Sequence, residues 1–281
     1  MIYPKVRQSP LGVAKHYDEL DVFYRGLWGE HLHHGLWKSG RETSQEAAKQ
    51  LVELVAQSAK INQGSKVCDI GCGYGATSRL LTEKYHAHVV GLTISQAQYK
   101  YAQSIHPDAQ NPTYILRDWL SNGLPSASFD ATISIESSEH MVDKPKFFRE
   151  AYRVLRPKGR IVVCAWLAHH DPSEFAVRNL LEPICSEGRL PSLGTIEDYN
   201  HMLTMAGFQN ICHRDLTAQV KKTWAVCGWR VAKGFFTNPR LRAFLLSQDS
   251  QNRAFAKTVF RLWMAYQTGN MSYGIFTADK L

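Results

Sequence analysis

Short apolar runs alternate with amphipathic stretches over the first two thirds of the chain. The runs at Lys66–Ile70, His88–Ile94, Thr113–Arg117, Phe129–Ile135 and Arg160–Trp166 have strand length. Between them, Ala76–Tyr85, a stretch from Ser95 and Lys146–Leu155 read as helices, the last ended by the turn Arg156-Pro157-Lys158-Gly159. Strands that are apolar throughout and separated by helices predict a parallel sheet covered on both faces. Upstream, Ser9-Pro10 opens a helix running to about Trp28. Thr43 and Glu46 form a capping box that starts a second helix, with Ala47, Leu51, Leu54, Val55 and Ala59 as its apolar stripe.

The rhythm changes after Pro172. Glu174–Ser186 and Thr195–Ala206 read as helices, the second capped by Thr195 and Asp198, with a turn at Leu190–Leu193 between them. This insertion after the fifth strand stands where a lid over a substrate would sit. Phe208–Leu216 and Ser272–Ala278 are then expected to pair antiparallel at the sheet edge. The prediction is an α/β fold with a Rossmann-like, seven-stranded, mostly parallel sheet in one domain. Its parts are an N-terminal helical cap (1–60), a ligand-binding core (61–167), the lid (168–207) and C-terminal strands with basic helices (208–281).

The first strand ends in Asp69-Ile70-Gly71-Cys72-Gly73-Tyr74-Gly75. Glycines at alternate positions allow a tight turn and close approach of a ligand, and the amides of the next helix face that ligand. A dinucleotide fingerprint has its acid about twenty residues downstream of its glycines; here Asp69 stands two residues before the first glycine. An acid there would repel a pyrophosphate and accept from an amino group. The expected ligand carries an ammonium beside a carboxylate, as S-adenosyl-L-methionine does. Its ribose finds no acid at the end of the second strand, where Thr93 and Ile94 stand; Gln98 is the candidate partner. Asp118 and Trp119, after the third strand, read as an acceptor for the adenine amino group beside a stacking ring.

The fourth strand delivers Glu136-Ser137-Ser138-Glu139-His140 to the carboxyl edge of the sheet, where open α/β sheets bind ligands. His140 is the candidate general base, and Glu136 or Glu139 would orient a substrate or stabilise a developing cation. The blander role for either acid is satisfaction of helix N-terminal amides. Ala168-His169-His170-Asp171 at the tip of the fifth strand is expected on the same face. Trp28–Trp37 is dense in aromatics and imidazoles, with His31, His33 and His34 inviting a metal. Adjacent His33 and His34 do not chelate one ion easily and no acid or thiol set completes a site, so a pocket-lining loop is expected, with no metal.

The net charge of +8 changes the picture only at the C-terminal end. Between Ala218 and Leu262 nine basic residues, Arg253 among them, face one acid, Asp249. They are interleaved with Trp224, Trp229, Phe235, Phe236, Phe244, Phe255 and Phe260. Such a segment suits a membrane surface or an anionic ligand, or is a solvated face over ordinary core. Bulky apolar residues among the charges, and the lack of an RNA-binding module, argue against a nucleic-acid partner. Six scattered cysteines suit a reducing compartment. With no apolar signal core at the N-terminus the expectation is cytoplasmic, peripheral to a membrane if 218–262 binds one. Oligomeric state stays open.

These motifs together resemble class I S-adenosylmethionine-dependent methyltransferases. The narrower likeness, carried by W-G-E-H-L-H-H-G-L-W (28–37), I-E-S-S-E-H-M-V-D-K (135–144) and the following C-A-W (164–166), is to gamma-tocopherol methyltransferases. More distantly the chain resembles sterol C-methyltransferases and cyclopropane fatty acid synthases. The resemblance implies that Asp69, Gly71, Gly73 and Gly75 surround the methionine part of the cofactor and that Thr93 and Gln98 serve its ribose. It implies that Asp118 and Trp119 hold the adenine, that Glu136 faces the sulfonium, and that Glu139 and His140 lie near the acceptor. Tyr17, His33 and His34 would close over the cofactor, and S-adenosyl-L-homocysteine would be the product. The acceptor is expected to be a small hydrophobic molecule methylated at carbon, isoprenoid, prenylated phenol or sterol-like, with Trp28, Trp37 and Trp166 available to a carbocation. The alternative is N- or O-methylation of a small natural product or amine.

Overall fold

The computed structural model describes residues 1–246 and 255–281, without the side chains of 22, 23, 27, 255 and 256. Arg253 and Asp249 lie outside the described residues. Seven strands form one sheet: β1 (Lys66–Ile70), β2 (His88–Thr93), β3 (Thr113–Leu116), β4 (Phe129–Ile135), β5 (Leu155–Ala168), β6 (Gln209–Asp215) and β7 (Met271–Asp279). Their order is β3-β2-β1-β4-β5-β7-β6. β1 to β5 run parallel, and β7 is antiparallel to both β5 and β6.

Helices cover both faces because the central strands have no polar side. Val67, Cys68, Asp69 and Ile70 are all buried in β1. On one face Leu51, Val52 and Val55 of α2 (Ser44–Ser58) join the apolar cluster. On the other, Phe147 and Phe148 of α5 (Lys144–Val154) pack with Tyr199 of α8 (Ile196–Met205). Three further helices flank the sheet: α1 (Pro10–Leu27), α3 (Ala76–Tyr85) and α4 (Gln96–Ile105). The expected caps are present. Ser9 accepts from the Gly12 amide, and Thr43 with Glu46, and Thr195 with Asp198, make reciprocal capping boxes.

Two elements differ from the sequence reading. The turn at 156–159 is a bulge inside one long β5, across which the register jumps from Leu155 opposite Phe129 to Arg160 opposite Ala131. Lys158 takes φ 67°, and its amide donates to the Lys280 carbonyl at 2.7 Å while Lys280 N donates to Gly159 O at 2.8 Å. Pairing with the chain beyond β7 thus keeps the segment in the sheet. The first lid helix is broken into α6 (Glu174–Ala176), a π turn (Val177–Leu181) and α7 (Glu182–Glu187). Pro183 in the first turn of α7 lacks the amide a continuous helix needs, and the turn before it widens.

The basic segment folds as α9 (Thr217–Val220), α10 (Lys222–Thr237), α11 (Pro239–Leu246) and α12 (Phe255–Gln267). α10 and α12 pack on each other, and buried Trp224, Val259 and Leu262 join the apolar cluster on the α2 face. Trp229, Phe236 and Phe260 remain exposed. Among the described residues no helix is long and apolar enough to cross a membrane. His169, His170 and Asp171, expected on the ligand face, are exposed beyond β5 and line neither of the two cavities at the strand ends.

Candidate active site

The carboxyl ends of β1, β2 and β4 open into a cavity lined by Asp69, Gly71, Gly73, Thr93, Gln98 and Asp118. The three glycines of the turn have different jobs. All have positive φ, 75°, 54° and 75°. A Cβ on Gly71 would stand 2.3 Å from Ser137 Cβ, and one on Gly75 would stand 2.4 Å from the Tyr114 hydroxyl. One on Gly73 would meet nothing within 4 Å. Gly71 and Gly75 let protein pack on protein, while Gly73 keeps space beside the cavity open. Gly75 does not line the cavity, a correction to the sequence reading.

Asp69 is buried at the cavity floor and accepts from the Ser78 hydroxyl at 2.6 Å. Burial raises its carboxyl to about 6, although the Ser78 hydrogen bond opposes that rise. A buried acid of this kind suits an ammonium, which would restore its charge. The Thr93 hydroxyl donates to Gln98 Oε1 at 2.9 Å, which leaves the Gln98 amide hydrogens as the donors of that pair. Asp118 lines the cavity but also caps the following turn, accepting from Leu120 N at 2.9 Å. Trp119 is 98% buried in effect, 2% exposed, with its indole N–H on the Phe147 carbonyl at 3.2 Å. It forms cavity wall from the core side, so the free stacking plate expected from sequence is corrected to an anchored one.

α1 crosses this cavity like a bar. Asp18 accepts from Ser95 Oγ at 2.5 Å and Ala97 N at 3.1 Å, and Asp21 accepts from the Tyr74 hydroxyl at 2.7 Å. Glu30 adds an ion pair with Arg79. These acids carry no recognisable motif, and sequence reasoning missed them.

A second cavity adjoins the first and shares Tyr17, Leu32, His33, Glu136 and His140 with it. Its remaining walls are largely apolar, with Trp28, Trp166, Trp224, Ile184, Leu190 and Leu262 prominent. Ile184 and Leu190 come from the inserted segment, and Trp224 and Leu262 from the basic helices. Trp37 is elsewhere: its indole N–H donates to the Thr223 hydroxyl at 3.0 Å and Lys222 lies over its ring, so it lines neither cavity. His34 is walled into the second cavity only, which corrects its expected place over the cofactor.

Glu136 joins the two. It has φ 55°, a left-handed conformation costing about 1–2 kcal/mol for a residue with a Cβ. Oε1 accepts from His34 N at 2.7 Å and the Tyr273 hydroxyl at 2.8 Å. Oε2 accepts from His34 Nδ1 at 3.0 Å and Trp166 Nε1 at 2.7 Å. Burial pushes this carboxyl up, but the His34 imidazole, through its charge when protonated and its hydrogen bonds, holds it down at about 2. Glu139 behaves oppositely. Burial raises it to about 7 against a hydrogen bond from Trp166 N at 2.6 Å, with the Glu136 charge adding to the rise.

The Tyr17 hydroxyl lies 2.9 Å from His140 Nε2, and His140 Nδ1 is 3.4 Å from the Arg189 carbonyl. A carbonyl only accepts, so Nδ1 carries hydrogen and Tyr17 donates to Nε2. Burial, with His16 adding to it, lowers His140 to about 3. A base that weak and already hydrogen-bonded is a poor proton acceptor. His33 Nδ1 donates to the His34 carbonyl at 2.8 Å and its Nε2 is 3.2 Å from His31 Nδ1.

The chain matches, over residues 5–276, the family model described as mycolic acid cyclopropane synthetase. It is 30% identical over 290 residues to the chloroplastic tocopherol O-methyltransferase of Arabidopsis thaliana, spanning 96% of this chain and 82% of that protein. It is 26% identical over 288 residues to the 2-methyl-6-phytyl-1,4-hydroquinone methyltransferase of Synechocystis sp., spanning 97% and 89%. Its fold overlays that of the mycolic acid cyclopropane synthase CmaA1 complexed with SAH and CTAB at a TM-score of 0.86 and 23% identity, over 98% and 100% of the two chains.

The raised Asp69 carboxyl has a direct consequence for ligand binding. An ammonium-bearing ligand needs Asp69 ionised, so affinity for S-adenosylhomocysteine should rise with pH up to about 6 and then level off. Calorimetric titrations from pH 5 to 8 test this, with Asp69→Asn expected to bind weakly and without that step. Equal pH dependence in the variant would remove Asp69 from the role.

Proposed function

The chain belongs to the mycolic acid cyclopropane synthetase family and is an S-adenosylmethionine-dependent methyltransferase, and on that footing we propose that it methylates a prenylated phenol or a similar isoprenoid. The cofactor activates the methyl group itself, so the chain's part is alignment, exclusion of water and management of charge. The cofactor belongs in the glycine-turn cavity. There Asp69 receives the ammonium, the Thr93–Gln98 pair faces the ribose, and Asp118 beside the Trp119 wall receives the adenine. Gly71 and Gly75 shape the turn, and Gly73 gives the close approach. Tyr17 and His33 cover the cofactor from α1 and the loop after it.

The observation that carries the acceptor assignment is the second cavity. It is walled by tryptophans and aliphatics and meets the first at Tyr17, His33, Glu136 and His140. A flat, apolar ring with a hydrocarbon tail fits such a chamber, with the ring at the junction and the tail between the inserted segment and α10–α12. Glu139 lies against this chamber as a carboxyl near its midpoint at neutral pH. Glu136 has its four acceptor positions filled by protein donors, so it acts on the sulfonium side by charge and not by direct bonding. The relatives named tocopherol and phytyl-hydroquinone methyltransferases support this acceptor class. Exposed Trp229, Phe236 and Phe260, with exposed Arg240 and Lys257 on the same helical segment, support peripheral contact with an anionic lipid surface in an otherwise cytoplasmic protein.

Methyl-labelled S-adenosylmethionine offered with prenylated hydroquinones, sterols, prenyl diphosphates and secondary amines decides the acceptor. Label is expected on the hydroquinones; label on amines alone would overturn the assignment in favour of N-methylation. Sedimentation with phosphatidylserine vesicles is expected to carry the protein down at low salt, and absence from the pellet would remove the lipid contact.

A further inference from the structure

His34 is the most constrained imidazole beside the acceptor chamber and the expected catalytic set gives it no role there. It is 1% exposed. Its ring is enclosed by Trp166, Trp224, Tyr266 and Tyr273 at centroid distances of 5.7, 5.1, 5.5 and 4.9 Å. The Glu136 carboxylate only accepts, so His34 Nδ1 carries hydrogen, and in the neutral imidazole the second nitrogen, Nε2, presents a lone pair. Nε2 is buried and has no hydrogen-bond partner. The Trp224 indole N–H and the Tyr266 hydroxyl beside the same ring interact with each other, and neither has a well-formed hydrogen bond. An unpartnered buried polar atom costs about 1–3 kcal/mol, and His34 and Trp224, which both line the chamber, describe a place for a polar group there.

The chemistry of that group follows from the atoms that await it. Nε2 requires a donor, the indole requires an acceptor, and the tyrosine hydroxyl accommodates either. An ammonium offers no acceptor and a carboxylate no donor; a hydroxyl or a neutral amine offers both, and the phenolic assignment above selects the hydroxyl. We propose that His34, positioned by Glu136, is the proton acceptor for a hydroxyl on the methyl acceptor, and that Trp224 binds the oxygen of that hydroxyl. This deepens the phenolic assignment above and rests on it.

The hydroxyl proton passes to Nε2 while the phenol's electrons, at oxygen or at the conjugated ring carbon, form the bond to the methyl carbon. The sulfur–methyl bond breaks with its pair left on sulfur. For attack from carbon, the ring then loses its own proton to solvent and the oxygen recovers the proton held by Nε2. Carboxylate, imidazole and acceptor hydroxyl thus stand in line, and the carboxylate fixes the tautomer as it does wherever an imidazole serves as a base. Trp166 and Tyr273, which also donate to Glu136, hold that carboxylate in place.

His34→Asn tests the assignment because the asparagine amide keeps a donor toward Glu136 and deletes Nε2. With a prenylated hydroquinone as acceptor, kcat/KM should fall about 10²–10⁴-fold at pH 7. S-adenosylhomocysteine affinity should change less than twofold, and activity should recover as pH approaches the phenol's own ionisation near pH ~10. Unchanged kcat/KM in His34→Asn, with the hydroquinone still methylated, would overturn the proposal while leaving the acceptor assignment intact; Nε2 would then hold only a structural water. A loss that does not recover at high pH would also overturn it. Wild-type protein that methylates no phenol at all removes both. Should His34→Asn fail to bind S-adenosylhomocysteine, Trp224→Phe carries the test. It is expected to raise KM for the hydroquinone several-fold with kcat nearly unchanged, and an unaltered KM would count against the proposal.

Discussion

A single buried carboxylate holds the two cavities together. Glu136 sits in a left-handed conformation just past β4 and accepts four hydrogen bonds, two on each oxygen. A carboxylate removed from water costs several kcal/mol unless its acceptor positions are filled, and here they are filled by three segments far apart in sequence. The N-terminal loop supplies two donors, β5 supplies the Trp166 indole and β7 supplies the Tyr273 hydroxyl. Loss of Glu136 would therefore release the loop carrying His33 and His34, the tryptophan that walls the acceptor chamber, and the antiparallel strand at once. Nearby, burial raises the Glu139 carboxyl to about 7 against one backbone hydrogen bond and the Lys144 charge. Two carboxylates three residues apart are thus driven in opposite directions by their partners, one fixed as an anion and the other titratable.

Much of this architecture was legible in the sequence because it rests on local rules. Strand and helix limits follow from apolar runs and caps, and every sheet strand apart from the start of β5 lies close to its expected limits. The fused β5 and the broken lid helix escaped because their causes are not local in pattern. The first depends on pairing of Lys158 and Gly159 with Lys280, the second on a proline at the start of α7. The glycine turn was found by its spacing, but the separate tasks of its glycines were hidden. Only the fold brings Tyr114 against Gly75 and Ser137 against Gly71.

The site itself was half legible. Asp69, Thr93, Gln98, Asp118 and the 136–140 segment lie together, since each follows a parallel strand and the sheet gathers strand ends. What the sequence could not distribute was histidine function. His33 and His34 are neighbours with the same side chain, yet one bonds to a backbone carbonyl and the other to a carboxylate 102 residues away. His140, which looked like the base, is engaged by Tyr17 and disfavoured as a proton acceptor by burial. Trp224 was read as part of an amphipathic surface and Tyr273 as part of an edge strand, Tyr266 was not singled out, and the importance of all three comes from long-range packing around the His34 ring.

The most direct measurement is a crystal structure with S-adenosylhomocysteine bound. Two observations in it bear on the account: which cavity the ligand occupies, and whether His34 and Glu136 keep their bonds. The expected result has the ligand's amino group at Asp69, its backbone path beside Gly73 and its sulfur at the junction of Tyr17, Glu136 and His140, with His34 Nδ1 still on Glu136. A ligand seated among Trp28, Trp166 and Trp224, or a His34 ring released from Glu136, would contradict the division of the site into a cofactor cavity and an acceptor chamber.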